Sequence, residues 1–502
     1  MIFDLNSATD DIIGSQKFDV CICGAGVAGI TLALNLSGKL SVLLLEAGGF
    51  DFSAESQAIY EGETVGRDFY ELTAGRLRYF GGTSNHWGGD CRPLDSYDFE
   101  RKNYLRFSGW PITRSDLNPY LDQAESILDL PENMAWNKPV GFIEETINSS
   151  RDFVTANLGI SAPTRFGQKY RDDIQQRANI TCLINANVTE LLLSEDLATL
   201  DHLEVRGYGG QVFQARAACF VLACGAIENA RLLLNSNQQT PQGLGNQHDL
   251  VGRFFADHLF AQAGEVILED NVVGRIGDSP FGDTFKGRLK QQICKFGWTR
   301  EAAERYRGRR FCLSDTRHGF APSQQFMEQD QLLNFGIRLA LRAPGHEHET
   351  DGIIVLCSEQ APNPSSRVSL ATAIDQFGMN KAKLDWQLSD IDLRTMQMAV
   401  FRFGEVFAEL GLGRVRVRDW LLADPLEFTS GPGHHHMGTT RMAASPEYGV
   451  VDASQKIFGT DNLYVAGSSV FTTGGYANPT LTIVQMTLRL AEHINSRPLP
   501  KI

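Results

Sequence analysis

Between Phe18 and Cys23 the chain runs Phe-Asp-Val-Cys-Ile-Cys, a short and mostly apolar stretch that predicts a buried strand. It leads without a linker into Gly24-Ala25-Gly26-Val27-Ala28-Gly29. Ile30 to Leu36 then carries apolar residues at helical spacing, and Leu40 to Leu45 is a second β-type run that stops at Glu46. Strand, glycine turn, helix, strand and terminal acid form one βαβ unit. In that context a G-x-G-x-x-G predicts dinucleotide binding: glycines let the backbone approach a pyrophosphate at the helix amino-terminus, and the acid accepts from a ribose hydroxyl. Glu46 lies twenty residues past Gly26, and an acid there favours a ribose without a 2′-phosphate. The bland alternative is a structural glycine turn.

The pattern changes character in two further places. Arg78-Tyr79-Phe80-Gly81-Gly82-Thr83-Ser84-Asn85-His86-Trp87-Gly88-Gly89 packs four glycines among polar and aromatic residues, a loop able to lie against an extended cofactor. Near the end come Gly433-His434-His435-His436-Met437-Gly438-Thr439-Thr440-Arg441-Met442 and Gly474-Gly475-Tyr476-Ala477-Asn478-Pro479-Thr480-Leu481-Thr482. The first puts imidazoles on a glycine-flanked turn, and the second puts a side-chain amide just ahead of a proline-initiated helix. A base and an amide so placed suit removal of a proton from an alcohol. Asn478 also has a plain structural reading as the N-cap of that helix, with Pro479 at its first position.

Composition narrows the class. The 502 residues allow two or three domains; 42% are hydrophobic and 21% charged, an ordinary globular balance. A net charge of −14 argues against nucleic acid, whose phosphates need a basic face. The nine cysteines (odd in number and scattered through apolar runs) read as reduced thiols packed as small hydrophobes. Met1 to Gly14 has neither a basic start nor a long apolar run, and no stretch reaches the ~18 apolar residues of a membrane helix. The expectation is a soluble, cytoplasmic protein with no membrane span.

Together these stretches resemble the glucose–methanol–choline (GMC) oxidoreductases from about Phe18 to Ile494, most closely over the last sixty residues. Supporting segments are Phe107-Ser108-Gly109-Trp110-Pro111-Ile112 followed by Leu117, Pro119 and Tyr120, then Ala223 to Leu234, and Glu359 to Pro364 through Arg367-Val368. The closing region is similar to bacterial members related to pyranose oxidase and to sugar or aminoglycoside alcohol dehydrogenases. The resemblance implies an α/β chain with a Rossmann-type FAD-binding domain and an α+β substrate-binding domain of sheet and helices. The FAD domain is expected to be discontinuous, from 1–110, 175–258 and 445–502, with 111–174 and 259–444 for the substrate domain.

By the same resemblance Gly24, Gly26, Gly29 and Glu46 hold the ADP half of FAD, and Val188 meets the adenine. Gly81, Gly82, Ser84, Asn85, His86 and Trp87 line the flavin loop. Asp461 to Ser468 is a strand that brings Gly467 to the flavin, and Asn478, Pro479 and Thr480 lie beside the isoalloxazine. His86 aligns with the histidine that pyranose oxidase joins covalently to FAD, while other relatives carry a His-Trp pair without requiring that bond; non-covalent FAD is the favoured expectation. Pyranose oxidase has a threonine two positions after that histidine, where this chain has Gly88. The electron acceptor is therefore open, and a dehydrogenase is favoured over an oxidase.

His435, three residues before Gly438, takes the family's position for the catalytic histidine, with Asn478 as its partner. Alternation along an extended segment sends His434 and His436 one way and His435 the other. The three do not readily share one ion, and no metal is expected. The implied activity is FAD-dependent oxidation of an alcohol group on a sugar-like polyol, glycoside or aminosugar, with His435 taking the proton and hydride passing to the flavin. The rival readings are a redox-neutral lyase on the same scaffold and a non-catalytic nucleotide-binding protein. From Leu259 to Arg342 the resemblance fades. The basic stretch at 286–310 reads as a solvated face, and Gly345-His346-Glu347-His348-Glu349 as a loop.

Overall fold

The computed structural model describes residues 1–7, 17–276, 316–341, 351–428 and 431–499, apart from 133, 140, 163 and 318. The strand Lys17–Cys23 lies inside a parallel sheet, flanked by Val42–Leu45 on one side and Val212–Leu222 on the other. Ile180–Ile184 and Ile2–Asp4 extend it beyond Val42–Leu45, and Leu463–Val465 pairs with the end of Val212–Leu222. Val20, Ile22, Leu43 and Leu44 are fully buried because both faces of this sheet are covered. Burying a side chain of that size contributes roughly 1.5–3 kcal/mol.

Val212–Leu222 does double duty. Its second half pairs in parallel with Lys17–Cys23, and its first half pairs antiparallel with Leu200–Arg206, which pairs in turn with Asn187–Leu193. The strands of this sheet come from three separated parts of the chain. Helix Val27–Asn35 packs against the last long helix, Thr480–Asn495, on one side of it.

A second, wholly antiparallel sheet has the order Gly413–Val417, Leu259–Leu268, Gly352–Ser358, Phe335–Leu341, Phe320–Pro322, Phe153–Thr155. Helix Asp390–Glu409 backs it and buries Phe403 and Phe407. A third small sheet joins Arg367–Ile374, Asn380–Trp386 and Gly62–Gly66. The chemistry-bearing segments leave the ends of the first two sheets: Gly24 follows Lys17–Cys23, Cys224 follows Val212–Leu222, and His258 immediately precedes Leu259–Leu268.

The seven cysteines among the described residues are all unpaired, and six of them are buried. Among the described residues no helix is long and apolar enough to cross a membrane. The basic stretch at 286–310 and the His346–Glu349 loop lie outside the described residues.

Candidate active site

One cavity of about 560 Å³ runs from Glu46 and Val188 to the histidine run and Asn478. Its first end is built by the glycine turn. Gly24 takes φ +101°, and a Cβ there would lie 2.7 Å from the carbonyl oxygen of Ala223 on the neighbouring strand. At Gly29 a Cβ would sit 1.8 Å from the carbonyl oxygen of Gly24. Gly26 is different: a Cβ there would meet nothing within 4 Å, because it would point into open space beside the helix amino-terminus. Glu46 is buried, with its two oxygens accepting from the backbone N–H of Ala25 at 2.9 Å and of Gly48 at 3.0 Å. Burial raises its pKa, and the two amides and Arg78 oppose that. Val188 is on the same wall, beside Asn187, which accepts from Arg78 Nη1 at 2.9 Å.

The 78–89 loop is tied down by backbone and side-chain hydrogen bonds. Gly81 N–H donates to Ala25 at 2.8 Å, Ser84 Oγ to Gly81 at 2.7 Å, and Trp87 Nε1 to Thr164 at 2.8 Å. Gly82, Ser84, His86, Trp87 and Gly88 reach the cavity. Gly29, Gly81 and Asn85 do not. Gly29 closes the helix onto the turn, Gly81 packs on Gly167, and Asn85 donates to the carbonyl of Phe80 at 2.9 Å. These three stand behind the cavity wall. Desolvation, then His434, then Arg165, lower the pKa of His86 to about 4.

At the other end His434 and His436 turn one way and His435 the other, in a segment that bends at His434. His434, at φ +62°, lies against the Tyr70 ring with centroids 4.1 Å apart. His436 is buried and meets the Tyr70 hydroxyl through Nε2. His435 turns the other way, toward His258. The turn is fixed by Asp257, whose Oδ1 accepts from the backbone N–H of His435 at 2.7 Å and of Gly433 at 3.2 Å. Gly438 ends it at φ +86°, where a Cβ would be 2.2 Å from the carbonyl oxygen of Phe254.

The ring of His435 contacts His258 Nδ1-to-Nδ1 at 2.8 Å, and His258 Nε2 lies 2.9 Å from the carbonyl oxygen of Gly475. Burial, then His258, His434, His436 and Arg338, hold the pKa of His435 well below the ordinary histidine value.

Asn478 lines the same cavity, and its Oδ1 is buried with no hydrogen-bond partner among the described residues. The N-cap expectation fails by one residue. Pro479 already has helical φ/ψ, its carbonyl accepts the first helical bond from Ile483 at 2.9 Å, and no side chain caps the helix. The amide of Asn478 is thus free of the backbone role that would have used its oxygen. Gly467 and Thr480 line the cavity as well, and Pro479 between them and Asn478.

Sequence reasoning missed His258, Asp257 and Tyr70. The signal available was an Asp-His pair leading into an apolar strand, a placement unusual for two ionisable groups that are fully buried. It also missed Cys224, which lines the cavity but donates its thiol to the Cys23 carbonyl at 3.2 Å, with its pKa pushed up by burial.

The family model described as GMC oxidoreductase matches residues 362–487, a span that contains His435 and Asn478. The chain is 26% identical to the 6'''-hydroxyparomomycin C oxidase of Streptomyces lividus, over 96% of this chain and 92% of that protein. It is also 26% identical to the 2-methyl-1,2-propanediol dehydrogenase of Mycolicibacterium austroafricanum, covering 96% of each. Its fold is similar to that of pyridoxine 4-oxidase from Mesorbium loti, with a TM-score of 0.61 at 17% identity over 95% of this chain and 99% of that one.

Proposed function

We propose that the chain is a GMC oxidoreductase, a reading supported by the family-model match over 362–487 and by the two relatives, and that it oxidises an alcohol group of a sugar-like polyol, glycoside or aminosugar to a carbonyl. FAD is the cofactor proposed here: a formate oxidase of similar fold carries FAD, and the cavity fits it. At Gly26, Gly225 and Gly467 a Cβ would project into open space with nothing within 4 Å, so the wall there is bare backbone able to lie against a long ligand. The helix beginning at Val27 directs its free amides to the same place. In this reading Gly24, Gly26, Glu46 and Val188 hold the ADP half, and Gly82, Ser84, His86, Trp87, Gly467, Asn478, Pro479 and Thr480 surround the flavin, which is bound without a covalent bond. The discontinuous FAD domain comprises 1–110, 175–258 and 445–502.

The observation that carries the proposal is a histidine and an unpartnered amide oxygen on the wall of a glycine-built nucleotide cavity. His435 removes the proton of the substrate hydroxyl. Asn478 orients that hydroxyl and stays neutral beside the negative charge that develops on its oxygen. Bound FAD supplies the acceptor for the hydride that leaves the carbinol carbon, so the alcohol loses one proton and one hydride and becomes a carbonyl. The sugar-like class is supported by the aminoglycoside name of one relative. Gly88 stands where pyranose oxidase has a threonine, and that departure supports an electron acceptor other than oxygen. Both relatives named carry the name of an oxidase or dehydrogenase, which gives the lyase reading no support.

Mixing the yellow protein anaerobically with polyols, glycosides and aminosugars is expected to bleach the flavin absorbance with at least one of them. Turnover of every alcohol without bleaching, or a colourless protein, would overturn the reading. Peroxide measured against dye reduction then separates oxidase from dehydrogenase, and dye reduction is expected to be the faster.

A further inference from the structure

We infer that His258 is a positioning residue that fixes the tautomer of His435, leaving the lone pair on Nε2 of His435. The inference rests on the assignment of His435 as the base and says which of its nitrogens acts. The carbonyl oxygen of Gly475 accepts and cannot donate. At 2.9 Å from it, His258 Nε2 must carry a hydrogen. A neutral imidazole has one N–H, so His258 Nδ1 is then a lone pair. His435 Nδ1, 2.8 Å away, must be the donor in that contact. The proton of neutral His435 is thereby committed to Nδ1, and Nε2 is left to accept.

Two conditions make the chain run one way. First, His258 must be neutral. It is fully buried, and burial brings its pKa down to about 4, with the carbonyls of Gly475 and Gly474 opposing and Arg338 adding to the effect. Second, the carbonyl that starts the chain must not turn away. Gly475 N–H donates to the buried Glu359 Oε1 at 3.0 Å, and Glu359 Oε2 accepts from Asn334 N–H at 3.2 Å. Gly475 is at φ +53° and packs so closely on Asp98 that a Cβ would fall 2.6 Å from its Oδ2. The opposite tautomer of His258 would set a ring lone pair against the carbonyl oxygen. His435 is also held from behind by the bond from its own N–H to Asp257, so the ring cannot swing to another partner without losing the turn. Among the described residues no carboxylate bonds to the His435 ring, and Asp257 reaches its backbone amide. A histidine that merely filled space at 258 would satisfy its nitrogens in either direction; the carbonyl is what removes that freedom.

Two measurements test this. In resting holoenzyme labelled with ¹⁵N-histidine, the His435 signals, assigned by their loss in His435→Ala, are expected to show a protonated Nδ1 and a bare Nε2. A protonated Nε2 overturns the inference whatever the kinetics. In anaerobic flavin reduction, His258→Phe keeps the ring volume and removes the acceptor. Its FAD content is expected to hold, and its rate to fall about a hundredfold or more, as when the group that sets the tautomer of a catalytic histidine is lost. His258→Asn offers an amide oxygen near the Nδ1 position and is expected to recover at least tenfold of that loss. Equal rates in the two variants, or a wild-type rate in His258→Phe, would contradict the inference. Should His435→Ala itself reduce flavin at the wild-type rate, the base assignment fails, and the ¹⁵N reading still decides the tautomer separately.

Discussion

At the Gly24–Gly29 end of the cavity the wall is backbone; at the His434–His436 end it is side chains. The first end works because atoms are missing: Gly26 leaves room for a ligand, and Gly24 and Gly29 leave room for carbonyl oxygens of the protein itself. The second works because atoms are held by partners far away in sequence. His435 is fixed by His258 and Asp257, and Asn478 presents an oxygen that no group among the described residues uses. Steric permission is a local property, so one residue too many destroys it. Orientation is a shared property, so changing one partner degrades it while the cavity stays.

Substitution at the glycines should break the first end most severely. Gly29→Ala places a methyl 1.8 Å from the carbonyl oxygen of Gly24, where only backbone movement can relieve it. It is expected to cost ~3 kcal/mol or more and to abolish soluble folded protein, as read by yield and by thermal melting. Gly26→Leu, whose side chain enters open space, is expected to melt close to wild type yet lose bound FAD, read as the flavin-to-protein absorbance ratio. Equal behaviour of the two variants would erase the distinction between packing and ligand clearance.

At the side-chain end the losses should be kinetic. Asn478→Ala removes one positioned polar group and is expected to slow flavin reduction ~10²–10³-fold. Asn478→Asp should be slower still, because a carboxylate beside the developing alkoxide adds like-charge repulsion. FAD content is the control in both, and a rate in Asn478→Asp above that of Asn478→Ala would contradict the assigned role.

The smallest expected effect is that of pH. A base with an ordinary pKa of about 6.5 would lose roughly three-quarters of its neutral form on going from pH 8 to pH 6. The pKa of His435 is lowered well below that value, chiefly by burial, so the neutral form persists as pH falls through 6.5. Flavin reduction is therefore expected to change less than about twofold over that window and to fall only in more acidic solution. An acid limb near pH 7 would instead report Asp257, which burial pushes up to about 7 beneath the histidine turn.

The contrast also explains what was legible in the sequence. Strand Lys17–Cys23, helix Val27–Asn35 and strand Val42–Leu45 agree to within a few residues with the elements read from hydrophobic spacing, because period and glycine placement are local. His435 does part from its neighbours as alternation predicts, although the segment is bent at His434 and not extended. It could not find His258, 177 residues away, because nothing near His435 encodes which strand comes to lie beside it. Asn-Pro reads as a cap followed by a first helical residue, yet Pro479 is the cap, a one-residue difference that sequence preferences do not resolve. The motif treated Gly29, Gly81 and Asn85 as equal to their neighbours, and only packing shows that they stand behind the wall.

The most direct test of the central claim, that the histidine end takes the proton of the alcohol, is anaerobic rapid-mixing flavin reduction in His435→Ala beside wild type. With FAD content and absorbance spectrum retained, reduction by a substrate alcohol is expected to be slower by ~10²–10⁴-fold, the range for loss of a positioned general base. Reduction at the wild-type rate with FAD fully bound would contradict the account.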